Sequence, residues 1–291
     1  MYSDTHFHLK HLINDKNIDG SNLLRELIKR ETFFLLDIGT SADDLAEREK
    51  IALGCIDCLD DKLKQNAFNM LYFSAGIWPS PEEIKNRFER IKVLEKEIIS
   101  FKNHEMFKDK ICAIGECGLD HHWNILGVDN RNQDDFDKDM LKGEKELFEL
   151  QIELAKNNDL PVIVHSRDAF EDTYDCIKNM GYNKGVIHCY SYGKKEASAF
   201  LDLGWYIAFG GGVTYTKKSK IDEMCELLRY IPNDLLLMET DSPYLAPVPY
   251  RGNVNTPILI EYCYDYVAKA RGITSELLSE LVDNNIKRLF K

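Results

Sequence analysis

The chain has 291 residues, of which 44% are hydrophobic and 30% are charged, and its formal net charge is −12. This composition is typical of a globular protein with a large core, and no apolar run approaches the roughly 20 residues that span a bilayer. The acidic balance excludes proteins that hold nucleic acid over a broad basic surface, because phosphate neutralisation supplies most of their affinity.

Short apolar segments rich in Val, Ile, Phe and Tyr recur along the chain and predict eight strands. These segments are 2–9, 33–41, 71–79, 111–120, 160–168, 185–192, 204–212 and 235–243. Amphipathic segments such as 143–158 lie between them, with apolar residues near the helical period. Near-continuous apolar strands that alternate with helices are typical of a parallel sheet buried on both faces. Eight such units predict an α/β fold with one domain over residues 1–291, a closed (β/α)8 TIM barrel rather than an open doubly wound sheet.

Two connections are longer than the others. Residues 80–110 predict one long charged helix after the third strand. Residues 119–142 contain an acidic run and follow the fourth strand, so in a barrel they lie over the C-terminal face, where active sites form. Two interpretations of this second segment stay open, a solvated loop and a lid over a site.

The eight cysteines show no spacing typical of a disulfide framework. We therefore expect free thiols in a reducing cytoplasm. The first ten residues lack the basic and then apolar pattern of a signal peptide, which also favours a cytoplasmic location. Cys55 and Cys58 form a C-x-x-C pair within a helical segment, and we interpret it as a chance pair rather than a redox or zinc site.

Side chains that can bind metal follow apolar residues in five of the predicted strands. The first strand contains two histidines one residue apart, which point to the same face of an extended chain. In a barrel these strand ends meet around one mouth, where catalytic residues collect. The set is His6, His8, Glu116, His165, His188 and Asp241. The sequence therefore predicts a metal centre at the C-terminal face of the barrel.

Four imidazoles and two carboxylates suit zinc, manganese, iron or, less readily, magnesium. Six ligands exceed the need of one tetrahedral ion, so the set predicts two divalent ions, with Glu116 as the bridging ligand and Asp241 as a ligand that also accepts the proton of the attacking water. Asp4 shares the face of the two strand-one histidines but lies deeper, so we expect it to support the strand and not to bind metal. Glu239 is expected to orient a ligand or to pair with Arg251.

Several segments together resemble one known family. The segments are DTHFHL (4–9), IGECGLD (114–120), LPVIVHSRDAFED (160–172), GVIHCYS (185–191) and PNDLLLMETDSPYLAP (232–247). Over essentially its whole length the chain resembles the TatD family of metal-dependent deoxyribonucleases, a branch of the metal-dependent hydrolase barrels. The resemblance implies hydrolysis of DNA phosphodiester bonds, often by trimming from a 3′ end, with single strands or 3′ ends as the expected partner.

The resemblance also implies how the ligands divide between the two ions. One ion is held by His6, His8, Glu116 and Asp241, and the second by Glu116, His165 and His188. Expected cofactors are therefore two divalent ions, among which the sequence does not distinguish Mg²⁺, Mn²⁺ and Zn²⁺.

This chain departs from the family pattern at three segments, one of which, His121-His122-Trp123, stands where the family commonly has tyrosine or another aromatic residue. After the third strand the family usually carries Gly-x-His-Pro, whereas here Trp78 takes the place of the histidine, so a substrate contact is expected to differ. The family's basic loop keeps Arg251 and Asn255, but the positive charge beside them is replaced by Asn253. We expect this change to weaken the affinity for nucleic acid more than that for metal.

Other candidates for substrate binding have plainer alternatives. Arg167 shares the strand face of His165 and could bind a phosphate or form a structural salt bridge. His121 and His122 could touch substrate, by stacking on a base or bonding to phosphate, or belong to a plain loop. Lys217 and Lys218 follow the seventh strand, and we interpret them as a solvated pair. Together the candidates for substrate binding are Arg167, Arg251, Asn255, His121 and His122.

Two other functions remain open from the sequence alone. The same barrel can hydrolyse another ester or a cyclic amide, because loops on a shared scaffold change the substrate. A barrel that binds metal or a partner without catalysis is the second alternative. Asp241 argues against the latter, since a purely structural metal site needs no base.

Overall fold

The computed structural model describes residues 2–104, 107, 109–122 and 137–291. Its eight strands form one parallel sheet in the order in which they occur along the chain. The strands are β1 (Asp4–Phe7), β2 (Leu35–Asp37), β3 (Leu71–Ala75), β4 (Ile111–Asp120), β5 (Val162–Arg167), β6 (Gly185–Ile187), β7 (Tyr206–Phe209) and β8 (Leu236–Met238).

The sheet closes where the segment after β8 meets β1. The backbone N–H of Asp241 donates to the carbonyl of His6 at 2.8 Å, and that of His8 donates to the carbonyl of Ser242 at 2.9 Å. Phe7 and Ser242 pair in the parallel sense at this seam. The predicted (β/α)8 barrel is therefore confirmed.

Helices cover the outside of the barrel over the described part of the chain. They are α1 (Leu9–Asn14), α2 (Gly20–Lys29), α3 (Leu45–Asp57), α4 (Asp61–Met70), α5 (Pro81–Lys85), α6 (Arg87–Lys102), α7 (Lys138–Asn158), α8 (Phe170–Met180), α9 (Lys194–Asp202), α10 (Ile221–Tyr230), α11 (Ile260–Arg271) and α12 (Ser275–Phe290). Short 3₁₀ helices lie at Gly211–Tyr215, Lys218–Lys220 and Pro257–Leu259. The strands and the inner faces of these helices form one continuous apolar core.

The structure corrects two predictions about the long connections. The expected single helix over residues 80–110 is two helices, α5 and α6, because Asn86 leaves the helical conformation with φ −102° and ψ 14°. Helix α7 begins at Lys138, five residues before the predicted start. Of the predicted lid, residues 123–136 (including Trp123) lie outside the described residues, so the lid stays a prediction.

Two glycines let β4 lie unusually close to β5. Gly115 and Gly118 have φ values of +139° and +137°, which side-chain-bearing residues rarely adopt. A Cβ atom at Gly115 would lie 2.6 Å from the carbonyl oxygen of Ile163, and one at Gly118 would lie 2.0 Å from that of His165. The close approach brings Glu116, which lies between the two glycines, next to the predicted ligand on β5.

A buried arginine ties the end of β2 to its neighbours. Arg48 contacts Asp37 at 2.9 Å, Asp44 at 2.9 Å and the carbonyl of Ser74 at 2.7 Å. The other carboxylate oxygen of Asp37 accepts from the backbone N–H of Leu9 at 2.8 Å. The network therefore holds the chain directly after β1, next to the predicted ligand His8. Such a fully satisfied network is needed because an unpaired buried charge is costly.

Two further expectations concern the whole chain. All eight cysteines are free thiols, including the C-x-x-C pair at the end of α3. No helix among the described residues is both long and apolar enough to cross a membrane.

Candidate metal centre

The six predicted ligands meet at the C-terminal mouth of the barrel, and four of them form a first cluster. The Nε2 atom of His6 lies 3.4 Å from Oε2 of Glu116 and 3.6 Å from Oδ1 of Asp241. The Nε2 atom of His8 lies 3.5 Å from the same Asp241 oxygen and 3.9 Å from the same Glu116 oxygen. Each of the two imidazoles thus lies within 3.9 Å of both carboxylates.

The other oxygen of Glu116 faces a second cluster. Its Oε1 atom lies 3.0 Å from Nδ1 of His165 and 3.2 Å from Nε2 of His188. These two ring nitrogens are 3.3 Å apart. The rings of His188 and His6 stack at 4.0 Å with an interplanar angle of 9°. This ring contact joins the two clusters in addition to the carboxylate of Glu116.

The spacing of the ligand atoms fits a bound ion. Ligand bonds of about 2.1 Å in a tetrahedral arrangement put the ligand atoms about 3.4 Å from one another. The measured separations in the two clusters, 3.0–3.9 Å, lie around that value. These groups of His, Glu and Asp are therefore able to hold metal ions.

A buried nitrogen atom without a hydrogen-bond partner gives an independent test of this fit. Nε2 of His6, the ring nitrogen that faces Glu116 and Asp241, lacks a hydrogen-bond partner among the described residues. An unpaired polar atom in the interior costs free energy, and its presence calls for an explanation such as a bound ion. The lone pair of His6 Nε2, aimed at two carboxylate oxygens, meets the requirement of a metal ligand.

The electrostatics of the two clusters favour ionised carboxylates. Burial raises the pKa of Glu116, but His188 and His165 outweigh burial and hold it well below its usual value. Burial likewise raises the pKa of Asp241, yet the hydrogen bond from His8 and the neighbouring imidazoles lower it overall. Burial lowers the pKa of His165, but its bonds to Asp120 and Glu116 raise it to about 9. An ion that binds His165 must therefore displace a proton at neutral pH.

Comparison with known proteins agrees with this architecture. The model of the family described as TatD related DNase matches residues 3–291. The chain belongs to this family. It is 38% identical to the metal-dependent hydrolase YabD of Bacillus subtilis over 185 residues, which cover 63% of this chain and 66% of that protein.

Two further relatives extend over nearly all of the chain. The metal-dependent hydrolase YcfH of Escherichia coli K12 is 29% identical over 297 residues, covering 99% of this chain and 94% of that protein. The crystal structure of the TatD homologue YJJV from Escherichia coli K12 superposes with a TM-score of 0.77 at 23% identity, covering 99% of this chain and 97% of that one. The protein is accordingly a metal-dependent hydrolase of the TatD family.

Residues behind the ligands orient two imidazoles of this TatD protein. Asp120, which the sequence analysis did not single out, lies 3.1 Å from Nε2 of His165, the ring nitrogen that faces away from Glu116. Glu239 lies 3.5 Å from Nδ1 of His188 and also accepts from the backbone N–H of Cys189 at 2.5 Å. Carboxylates in such positions fix the tautomer and the direction of a ligating imidazole.

A sequence signal for Asp120 existed. In a strand, alternate residues share a face, so Asp120 lies on the same face of β4 as Glu116. The predicted strand 111–120 coincides with β4, all of whose residues are buried, and it contains both carboxylates. Asp120 is thereby carried into contact with the neighbouring strand β5.

Asp4 takes the supporting position that the sequence predicted. Its side chain is fully buried and accepts from the backbone N–H groups of His6 and Thr240 at 3.1 and 2.9 Å, and from the hydroxyl of Thr240 at 2.6 Å. These bonds join β1 to the segment after β8 and occupy the carboxylate. Asp4 therefore stays out of the ligand set.

The candidates for substrate contact on β4 and β5 lie around the second cluster. The side chain of Arg167 is 39% exposed, with Nη1 3.8 Å from Oδ2 of Asp120. His122 is partly exposed and its Nδ1 bonds to Asp168 at 2.8 Å. His121 is more buried, with Nε2 3.2 Å from a carboxylate oxygen of Glu144. Arg167 and His122 are the members of this group that reach the surface.

The loop after β8 separates two candidates that the sequence had grouped together. Arg251 is exposed, and its guanidinium lies 4.3 Å above the ring of Tyr215. Asn255 is fully buried, and its amide donates to the carbonyls of Thr240 and Tyr244 at 2.9 and 2.7 Å. This position corrects the predicted substrate contact of Asn255, because its donors hold the loop.

The paired lysines after β7 are exposed to solvent, which agrees with their interpretation as a solvated pair. Lys217 and Lys218 are both exposed at the short 3₁₀ helix that follows β7. Glu239 does not form the alternative pair with Arg251, since it contacts the imidazole of His188 instead.

Proposed function

We propose that this TatD protein hydrolyses phosphodiester bonds of DNA and removes nucleotides from the 3′ ends of single strands. The observation that supports it best is the carboxylate of Glu116, whose two oxygens face separate clusters at 3.4 Å and 3.0 Å. Two clusters that share one bridging carboxylate suit a pair of divalent ions. Family membership supports DNA as the substrate.

The chemistry divides between the ions and the side chains of this chain. Divalent ions, when bound, supply Lewis acidity to a water molecule and to the phosphoryl oxygens. Asp241, whose lowered pKa keeps it ionised, accepts the proton of the attacking water on a carboxylate oxygen. Glu116 holds both clusters at a constant separation, and Asp120 and Glu239 keep two imidazoles aligned. Arg167, on the rim of the second cluster, binds a phosphate oxygen of the substrate.

The free thiols of all eight cysteines support a reducing compartment such as the cytoplasm as the place of action. The chain carries a net charge of −12, so contact with DNA is local, through the metal ions and a few basic side chains at the mouth.

A nuclease assay with end-labelled single and double strands tests the proposal. We expect Mg²⁺ or Mn²⁺ to start the release of nucleotides from a 5′-labelled single strand, and EDTA to stop it. Asp241→Asn should lower kcat by about 10²- to 10⁴-fold, the usual contribution of a positioned base.

Other outcomes would overturn the proposal. If the metal-loaded protein leaves DNA intact but cleaves simple esters or cyclic amides, its substrate belongs to another class. If it binds metal and cleaves none of these compounds, the barrel acts as a binding protein.

A further inference from the structure

Two aromatic side chains stand on either side of the metal centre. The ring of Trp78 meets that of His165 edge to face, with centroids 5.8 Å apart at 70°. The ring of Tyr244 meets that of His8 in the same manner, at 6.1 Å and 69°. His165 belongs to the second cluster and His8 to the first, so the two aromatic rings border different halves of the centre.

Trp78 is firmly anchored through its backbone. Its N–H donates to the carbonyl of Thr40 at 2.9 Å. The preceding residue, Ile77, is bound at both its N–H and its carbonyl by the buried amide of Gln151, at 2.7 and 3.0 Å. The indole is nevertheless partly exposed at the mouth. A ring held in this way loses little conformational entropy when a flat ligand stacks on it.

Tyr244 is anchored through both ends of its residue. Its backbone N–H donates to the carbonyl of Asp241 at 2.9 Å, and its hydroxyl bonds to Nδ1 of His11 at 3.2 Å. The ring of His11 stacks in turn on that of His8 at 5.0 Å. The side chain of Tyr244 stays 47% exposed, although it is a large aromatic group.

The charge of the protein makes such rings useful for binding. A chain with net charge −12 draws little affinity from a phosphate backbone, because that term requires many basic contacts. Stacking on an aromatic ring needs no positive charge and tolerates any base, since every nucleobase has a π face. Stacking also requires that the base be unpaired and turned out of a helix.

We propose that Trp78 and Tyr244 stack on the two nucleobases that flank the scissile phosphate and thereby restrict the substrate to strand ends with unpaired bases. The inference rests on the proposed nuclease function. Trp78 borders the second cluster and Tyr244 the first, so a phosphodiester bound between the two clusters would have one nucleoside on the side of each ring.

The test compares Trp78→Ala and Tyr244→Ala with the variants Trp78→Phe and Tyr244→Phe, which keep an aromatic ring. We expect each alanine variant to raise KM for single-stranded DNA by about 5- to 150-fold, the contribution of one stacked base, while kcat changes less. The phenylalanine variants should lie close to the wild type. Phe88→Ala is the control, because Phe88 is 55% exposed on α6 and its ring lies under the guanidinium of Arg87.

Two readouts separate stacking from a structural role. The ratio of activity on a normal strand to activity on a strand whose two terminal sugars are abasic should fall in the alanine variants. In the Asp241→Asn background with metal present, where hydrolysis is slow, a single strand should quench tryptophan fluorescence more than it does when Trp78→Phe is added. The wild type itself should discriminate by several-fold against a strand whose two terminal sugars are abasic.

The outcomes distinguish this inference from the proposed function. If the wild type does not degrade DNA, the proposed function fails and the inference fails with it. If the wild type degrades DNA but treats abasic and normal ends alike, or if both alanine variants keep their KM, only the stacking inference fails. An alanine variant that loses bound metal and both activities in parallel also contradicts stacking, because the ring would then serve the metal ligands.

Discussion

The carboxylate of Asp120 lies 3.1 Å from Nε2 of His165, on the side of the imidazole opposite Glu116. The contact with Asp120 at Nε2 thus turns the other ring nitrogen, Nδ1, toward Glu116. Since Asp120 is buried and also accepts from the backbone N–H of His122 at 2.9 Å, its position is set by more than one contact.

Asp120→Asn tests this relationship. Loss of the carboxylate should weaken binding at the second cluster by about 10- to 100-fold, the usual effect of removing a partner of a ligating imidazole. Titration with Mn²⁺ or Zn²⁺, followed by calorimetry, measures the change. Asp168→Asn is the control, since Asp168 is exposed and contacts His122 and not a ligand. Equal affinities in the two variants would contradict the orienting role.

The bridging position of Glu116 predicts an unequal pattern of metal loss. Glu116→Ala should remove both ions, because each cluster uses one of its oxygens, whereas His8→Ala should impair only the first cluster. Metal analysis of purified proteins should give about two ions per wild-type chain, about one for His8→Ala and almost none for Glu116→Ala. A Glu116→Ala protein that keeps one tightly bound ion would show that the carboxylate does not bridge.

Metal binding should release protons and depend on pH. Hydrogen bonds with Asp120 and Glu116 raise the pKa of His165 to about 9 despite its burial, so the metal-free ring is protonated at pH 7. A metal ion needs the neutral ring, and therefore the apparent affinity should rise as pH increases toward 9. Calorimetry at pH 7 in buffers of different ionisation enthalpy should detect at least part of one proton released. An affinity that falls between pH 7 and 9 would contradict the assignment.

The buried arginine network predicts a large loss of stability. Arg48→Ala leaves the carboxylates of Asp37 and Asp44 without their partner, so the free energy of unfolding should fall by about 3–5 kcal/mol. Arg30→Ala, which breaks the exposed pair with Glu261, should cost no more than about 1 kcal/mol. Denaturant unfolding in EDTA compares the two without the contribution of metal. Similar losses of unfolding free energy in both variants would mean that the network contributes little to stability.

The candidate ligands can be singled out from the sequence because their signal is local. His6 and His8 share a face through the two-residue period of a strand, and His165 and His188 each follow a short apolar run. Once eight strands in a parallel barrel are inferred, their carboxyl ends must meet at one mouth. The residue types alone then indicate the chemistry of the site.

The surroundings of the ligands depend on contacts between segments far apart in the chain. Asp120 reaches His165 because β4 continues past Glu116 and lies close to β5, and no local pattern reports that register. The sequence predicted Asn255 as a substrate contact, yet its amide donates both hydrogen bonds to main-chain carbonyls at the loop after β8.

What the sequence by itself determined is therefore the barrel, the ligand set and the shared face of each pair. Those features follow from periodicity and from side-chain chemistry. Only the tertiary structure decided that Asp120 lies behind His165 and that Trp78 and Tyr244 border different halves of the centre. These relations join residues on different strands and loops, and their geometry is set by how the closed barrel packs.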